Sequence, residues 1–168
     1  MTDAIDPREL VFTCHMPVPP HLVYRGWTDP ALLVQWFTPA PWKTVKAEVD
    51  VRPGGSNYIE MESPEGQRVP NRGVYLDVVP NERLVITDAF TSAWEPSPKA
   101  FMTVVLTFTP EGSGTRYTAR VQHWSESDRE SHEEMGFHHG WGAAAAQLAA
   151  LLAPLVPGAG AAGEDTAV

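Results

Sequence analysis

The stretch that decides the fold is residues 125–152, SESDRESHEEMGFHHGWGAAAAQLAALL, near the C-terminal end of the 168-residue chain. Ser125 or Ser127 can cap a helix, and the acidic residues that follow suit the positive end of a helix dipole. Beyond them, apolar residues recur at spacings of three and four, which is typical of a helix with one buried face. This predicted buried stripe consists of Phe137 or His138, then Trp141, Ala145, Leu148 and Leu152. We therefore predict one helix that continues to about Leu152, with its glycine-rich half as the less stable half.

The residues before this helix alternate between apolar and polar, as strands with one wet face do. Turns rich in proline and glycine separate the strands, so that consecutive strands are antiparallel neighbours. The predicted strands cover residues 9–16, 43–50, 57–61, 67–79, 83–90 and 101–109, and a last strand carries Tyr117, Ala119, Val121 and His123 on one face. Helical spacing after the first strand predicts two short helices, the second of which begins at Asp29 and Pro30.

A sheet with one apolar face must be covered, and the terminal helix is the only predicted element long enough to cover it. The fold class is therefore α+β: an antiparallel sheet of six to seven strands curls around a long C-terminal helix. At 168 residues, 43% of them hydrophobic, the chain suits one domain. We expect an N-terminal tail over residues 1–8, the domain over residues 9–153, and a disordered tail over residues 154–168.

Charge and composition exclude several classes of partner. The chain has 21 acidic and 12 basic residues, a formal net charge of −9, and no basic cluster, so nucleic acid is not an expected partner. No apolar run is long enough to span a membrane, and the first residues lack a signal-peptide pattern. Cys14 is the only cysteine, which excludes an internal disulfide and suits a reducing compartment. We expect a cytoplasmic protein that does not insert into membranes.

Four segments together resemble a known family. They are Gly26-Trp27-Thr28-Asp29-Pro30 followed by Trp36; the turn Asp50-Val51-Arg52-Pro53-Gly54-Gly55; Gly73-Val74-Tyr75-Leu76-Asp77-Val78-Val79-Pro80 with Glu82-Arg83-Leu84; and Gly140-Trp141 in the terminal helix. Their order and spacing are similar to the stand-alone bacterial domains that resemble the C-terminal part of the activator of heat-shock protein 90 ATPase. This family lies in the START-like, polyketide-cyclase-like superfamily, and the resemblance runs from about Leu10 to Leu152.

The resemblance implies the helix-grip (START-like, Bet v-like) fold, with a ligand groove under the long helix. Members of the superfamily bind lipids, hormones or polyketide-like aromatic molecules, and a minority catalyse cyclisation or dehydration. The co-chaperone after which the family is named has an additional N-terminal domain, for which this chain has no room. ATPase activation is therefore not carried over.

Eleven residues are candidates for the wall of an apolar ligand cavity between sheet and helix. Alternatively, they simply pack as core; the small alanine side chains of the terminal helix, which leave room opposite the sheet, favour a cavity. The candidates are Trp36, Asn57, Ile59, Met61, Tyr75, Phe108, Tyr117, Val121, His123, His138 and Trp141.

Catalysis is a sharper hypothesis, and its candidates are His123 and Asp77. His123 lies in phase with the inward face and could act as a general acid or base on an enolisable substrate. Neither a nucleophile elbow nor a phosphate loop is present. His132-Glu133-Glu134-Met135-Gly136 begins like a zinc-protease motif but has glycine where the second histidine is required, so we expect no metal and no cofactor.

The sequence thus favours a binding protein for a small hydrophobic or aromatic ligand over an enzyme. A cyclase-like or dehydratase-like enzyme that uses a cavity histidine is the first alternative. The second is an interaction module that assists a chaperone in the stress response, which would require an exposed apolar patch on the outer sheet face or around Trp27 and Trp36. A protein partner or a homodimer is compatible with each alternative.

Overall fold

The protein is described here by a computed structural model, which covers residues 6–158. A seven-stranded, wholly antiparallel sheet has the strand order β1-β9-β8-β5-β4-β3-β2, and β6 pairs with β7 in a separate two-stranded sheet. The strands are β1 Glu9–Met16, β2 Lys43–Val49, β3 Ser56–Glu62, β4 Arg68–Val79, β5 Arg83–Thr87, β6 Phe90–Ser92, β7 Glu95–Pro96, β8 Met102–Glu111 and β9 Gly114–His123. The helices are α1 Pro20–Thr28, α2 Pro30–Trp36, α3 Glu126–Glu134 and α4 Phe137–Leu152, and a 3₁₀ turn, Ala153–Leu155, follows α4.

This architecture confirms the predicted α+β helix-grip fold, with its large antiparallel sheet and long C-terminal helix. The two short helices also form where they were expected. Asp29 caps α2 by accepting a hydrogen bond from the backbone N–H of Ala31 at 3.0 Å, and Pro30 occupies the first helical position. The indole Nε1–H of Trp36 donates to the carbonyl of Gly26 at 2.9 Å, which joins the two helices.

The prediction of one continuous terminal helix is wrong, because the helix is broken at Met135 and Gly136. Ser125 caps α3 by accepting from the N–H of Asp128 at 3.0 Å. Gly136 then adopts a left-handed φ of 91°, a conformation that ends helices and favours glycine. Helix α3 itself buries no residue.

The strand predicted over residues 83–90 is also interrupted. It leaves the main sheet after Thr87, because the Asp88 carboxylate accepts the N–H groups of Phe101 at 2.8 Å and Met102 at 3.1 Å. The chain then forms the β6–β7 hairpin where a loop was expected. In β2, a bulge between Thr44 and Lys46 leaves Val45 exposed, although the alternation predicts it to face inward.

The core lies between the sheet and α4. The predicted helical stripe is buried at Phe137, Ala145, Leu148 and Leu152, whereas His138 is exposed and Trp141 is partly exposed. Gln147 fastens α4 to the chain after α2: its Nε2–H₂ donates to the carbonyls of Trp36 at 2.8 Å and Thr38 at 3.0 Å. Its Oε1 accepts from the N–H of Ala40 at 3.0 Å. Helix α4 and the α2–β2 connection therefore form one wall.

The tails were predicted over residues 1–8 and 154–168. Of these, residues 1–5 and 159–168 lie outside the described residues. Among residues 6–158, no helix has the length and apolar character that crossing a bilayer requires.

Candidate functional site

A cavity of about 590 Å³ lies between the sheet, the N-terminal half of α4 and the segment that follows α2. Most of the side chains around it are apolar, and a minority are polar. In chain order, they belong to Trp27, Phe37, Thr38, Pro39, Trp42, Asn57, Ile59, Met61, Asn71, Arg72, Gly73, Ile86, Thr87, Asp88, Phe101, Met102, Val104, His132, Met135, Gly136, Phe137, Gly140 and Trp141.

The apolar part of the wall is mainly aromatic. Trp27 contacts Phe37 edge to face, with ring centroids 5.8 Å apart, and Phe137 contacts Trp141 at 5.5 Å. Trp42 and Met135 also line the cavity and are among the exposed large hydrophobic residues. The cavity therefore presents flat rings inside and apolar side chains that remain accessible to water.

Room in the cavity comes from glycines. The alanines were expected to leave space opposite the sheet, but Ala144 and Ala145 are buried and pack in the core. The cavity instead adjoins Gly136 and Gly140, and a Cβ added at Gly140 would meet no atom within 4 Å. On the opposite wall, a Cβ at Gly73 would lie 2.5 Å from the carbonyl oxygen of Thr87, so that this position requires glycine.

One end of the cavity carries two titratable side chains, His132 on α3 and Asp88 after β5. The Nδ1 of His132 is 2.8 Å from the Nε2 of His123, and the Nδ1 of His123 is 2.8 Å from the carbonyl oxygen of Arg8. Phe101 packs between these groups: its ring centroid is 5.3 Å from both imidazoles. The backbone N–H of Phe101 also binds Asp88.

Burial shifts both groups toward their neutral forms. Burial, with a smaller contribution from the neighbouring His123, lowers the pKa of His132 to about 4. Burial likewise raises the pKa of the Asp88 carboxyl, against the lowering effect of the N–H groups of Phe101 and Met102. At neutral pH the cavity therefore presents an uncharged imidazole beside a carboxyl group whose charge is disfavoured by its surroundings.

Four of the eleven predicted ligand-contacting residues line this cavity: Asn57, Ile59, Met61 and Trp141. The other seven do not. Six of these are buried elsewhere, namely Trp36, Tyr75, Phe108, Tyr117, Val121 and His123, of which His123 lines a second cavity of about 210 Å³. Tyr75 lies directly behind the wall, where its hydroxyl accepts a hydrogen bond from Asn57 at 3.1 Å, and burial raises its pKa to about 12. His138 is exposed on α4.

The predicted pair of His123 and Asp77 is not brought together. Asp77 forms an ion pair with Arg83 at 2.8 Å and is 42% exposed in its side chain, whereas His123 is 3% exposed and binds His132 and Arg8. A bulge in β4 between Tyr75 and Asp77 changes the strand's register at this point. Asp77 is therefore a partner of an arginine rather than the acid of a catalytic pair.

The sequence did not single out Asp88 and His132 as site residues, although both line the cavity. Asp88 directly follows a strand and resembles an ordinary turn residue, and His132 lies on a helix without a buried face. The sequence also gave no indication that Trp42 lines the cavity, because the position of this residue depends on how the preceding proline-rich segment folds back. Among residues 6–158, no three His, Cys, Asp or Glu side chains are grouped so as to hold a metal ion.

The seven-stranded sheet, the C-terminal helix and the cavity between them define a START-like helix-grip domain. The profile of the family described as Activator of Hsp90 ATPase homolog 1-like protein matches residues 17–153. The chain therefore belongs to this family, and the resemblance inferred from its four segments is confirmed.

Solved structures of bacterial proteins support the same assignment. A protein from Nitrosomonas europaea is 44% identical, with a TM-score of 0.85 over 88% of this chain and 96% of that chain. A protein from Chromobacterium violaceum is 28% identical, with a TM-score of 0.69 over 87% of this chain and 97% of that chain. An AHSA1-like protein from Aeromonas hydrophila shares the fold at 17% identity, with a TM-score of 0.68 over 88% of this chain and 93% of that chain. No curated protein matches the chain.

Proposed function

We propose that this protein binds a small hydrophobic or aromatic molecule in the cavity between the sheet and α4. The observation that carries the proposal is the cavity itself, about 590 Å³ in volume and lined mainly by aromatic and other apolar residues. Sites for drug-sized ligands have volumes of about 300 to 1,000 Å³, with apolar walls and a few polar groups. The proposed ligand thus contains one or more rings and few polar atoms.

Filling the cavity tests this proposal. Gly140 lies within α4, lines the cavity, and has open space where its Cβ would be. In Gly140→Leu, the new side chain occupies the binding volume, and helix propensity improves by roughly 0.5 to 1 kcal/mol. We expect the variant to fold at least as stably as the wild type and to lose most of its affinity for an aromatic probe such as 2-naphthol, measured by titration calorimetry.

His139→Leu is the matched control, because it places the same new side chain on the neighbouring, exposed position of α4. This variant should bind 2-naphthol as the wild type does. Equal affinities of the wild type and Gly140→Leu would place the probe outside the cavity. No binding of 2-naphthol to the wild type would count against the proposed function itself.

An acid–base enzyme is the second candidate, and the observation that favours it is the imidazole of His132 on the cavity wall. The candidate catalytic residue of this hypothesis is therefore His132 instead of His123. A general base at this position would remove a proton next to the carbonyl group of a bound ketone. The test is hydrogen–deuterium exchange at the α-carbon of 2-tetralone in D₂O, followed by NMR. Exchange at the same rate with the wild type and with His132→Phe would exclude this role.

The interaction-module alternative has no support from the side chains of Trp27 and Trp36 themselves. Trp27 and Trp36 are 3% and 2% exposed, so that no apolar patch is presented by them. A protein partner, a homodimer, a role in the stress response and a cytoplasmic location stay predictions from the sequence and the resemblance.

A further inference from the structure

A short chain of hydrogen bonds determines which ring nitrogen of His132 carries the proton. A carbonyl oxygen can only accept, so the Nδ1 of His123 must carry the proton that is donated to Arg8 at 2.8 Å. In a neutral imidazole this is the only proton on the ring nitrogens. Its Nε2 therefore bears a lone pair.

That lone pair determines which nitrogen of His132 is protonated. The Nδ1 of His132 is 2.8 Å from the Nε2 of His123, and it must be the donor in this hydrogen bond. A neutral imidazole carries one proton, so the Nε2 of His132 is an acceptor. His132 lines the cavity, whereas His123, which its Nδ1 contacts, does not. Among residues 6–158, Nε2 makes no hydrogen bond.

Asp88 adds a second acceptor at the same end. Its Oδ1 accepts the N–H groups of Phe101 and Met102, and its Oδ2 has no partner from another residue in the described part of the chain. Arg72, which also lines the cavity, does not neutralise it: the guanidinium lies over the ring of Tyr58, with its carbon 4.4 Å from the centroid, and forms no ion pair with Asp88 within 4 Å. Two side chains, each with one polar atom that has no partner from another residue in the described part of the chain, therefore line an otherwise largely apolar cavity.

We propose that the end of the cavity formed by His132 and Asp88 selects ligands that carry a hydrogen-bond donor, with an aromatic hydroxyl group as the fitting class. The proposal rests on the proposed function, because it specifies the ligand of the same cavity. A carboxylate ligand, such as a fatty acid, would place its own acceptors against these two and is disfavoured. His123 is a positioning residue, because it fixes which nitrogen of His132 carries the proton.

The first test is made on the wild-type protein without ligand. Long-range ¹H–¹⁵N NMR spectra of the imidazole rings distinguish the two neutral tautomers. At pH 7 we expect both His123 and His132 to be protonated at Nδ1. A proton on Nε2 of His132 would overturn the proposal whether or not the cavity binds ligands.

The second test compares 2-naphthol with 2-methoxynaphthalene, which has the same rings without the donor, and with 2-naphthoate. We expect 2-naphthol to bind at least about fivefold more tightly than the methyl ether, which corresponds to about 1 kcal/mol for one net hydrogen bond. Apolar burial alone would favour the methyl ether. The preference should fall to less than about twofold in His132→Phe. It should also decrease in Asp88→Asn, in which the amide oxygen can still accept from Phe101 and Met102 while an NH₂ group replaces the other acceptor.

Four outcomes separate this proposal from the proposed function. Equal binding of 2-naphthol and its methyl ether to the wild type, or an unchanged preference in both variants, overturns the donor selectivity and leaves a ligand-binding cavity. Tighter binding of 2-naphthoate than of 2-naphthol has the same consequence. Binding of none of the three probes contradicts the proposed function and removes the selectivity with it.

Discussion

At the scale of single residues, the two histidines have different tasks. His123 hydrogen-bonds the backbone of Arg8 and the ring of His132, and it is 3% exposed. His132 lies between this buried neighbour and the cavity, with the rings of Phe101 and Phe137 beside it at 5.3 and 5.1 Å. An imidazole among aromatic rings is readily kept neutral, because a charge there would lose its hydration.

The stability of the protein should therefore depend on pH through His132. Below pH 6.5 the unfolded state takes up a proton at this residue, whereas the folded state does so only near pH 4. Stability thus falls as the pH decreases from about 6.5 to about 4, by a contribution on the order of 2 kcal/mol after allowance for partial exposure. Urea denaturation at pH 4.5 and 7.5 should show a smaller loss for His132→Phe than for the wild type.

The exposed His139→Phe variant is the control and should lose as much stability on acidification as the wild type. Asp88 acts in the opposite direction, because an acid with a raised pKa stabilises the folded state as the pH falls. The comparison between variants at fixed pH isolates His132 from Asp88. The same pH dependence in the wild type and in His132→Phe would contradict the assignment of a neutral His132.

Gln147 joins α4 to the C-terminal end of α2 and to the residues that follow it. Its amide makes three hydrogen bonds to the backbone after α2, at 2.8 to 3.0 Å. Gln147→Ala should lower the free energy of unfolding by about 1 to 3 kcal/mol, because partly buried backbone groups lose their partners. Gln35→Ala removes a single exposed bond to Ala31 and should cost less than about 0.5 kcal/mol. Comparable losses for both variants in urea denaturation would contradict the role of Gln147.

Sequence periodicity predicted which residues face the inside of the fold, but not which of these residues border the cavity. Alternation placed His123, Val121 and Tyr117 on the inner face, and all three are buried. Periodicity does not indicate which of these positions border empty volume and which are covered by a neighbouring side chain. His123 is covered by His132, and this contact depends on the angle at which α3 leaves the sheet.

At the scale of elements, the C-terminal helix shows where local pattern and structure diverge. The apolar spacing continues through α4, but residues 126–134 carry mostly charged and polar side chains and bury none. Capping by Ser125 begins α3, and Gly136 in a left-handed conformation ends it. The sequence contains both the capping serine and the glycine. The break between the helices is nevertheless evident only in the structure, where α3 has no buried face.

Two glycines in this region should respond in opposite ways to the same substitution. Gly136→Ala should lower the free energy of unfolding by about 1 kcal/mol, because alanine is strained at a φ of 91°. Gly140→Ala should raise it by about 0.5 to 1 kcal/mol, because the position is inside α4 and an added Cβ meets no atom within 4 Å. Thermal or urea denaturation measures both, and a loss in Gly140→Ala would show that this site is not open.

The strands were the most predictable elements. Proline- and glycine-rich turns set their ends, and β1 has the predicted bounds. Deviations occur where side chains compete with the ladder: the bulge at Thr44 and Lys46 reverses the orientation of Val45, and the Asp88 carboxylate takes backbone N–H groups of the next strand. The apolar–polar alternation of a strand sequence does not predict tertiary contacts of this kind.

At the scale of the whole molecule, the order of elements determined the fold, because one terminal helix was available to cover one large antiparallel sheet. It did not locate the cavity. The predicted site extended along the whole inner face, whereas the cavity lies at one end, where the glycines of α4 and the segment after α2 leave room. The alanine-rich half of α4 packs closely instead.

The six tryptophans provide the most direct test of the central claim. Trp27, Trp42 and Trp141 line the cavity, whereas Trp94 and Trp124, which are 77% and 59% exposed, do not. In an NMR titration of the ¹⁵N-labelled protein with 2-naphthol, we expect saturable shifts of the indole N–H signals of Trp27, Trp42 and Trp141, with those of Trp94 and Trp124 unchanged. Shifts confined to Trp94 and Trp124, or no saturable shift at the three cavity tryptophans, would contradict it.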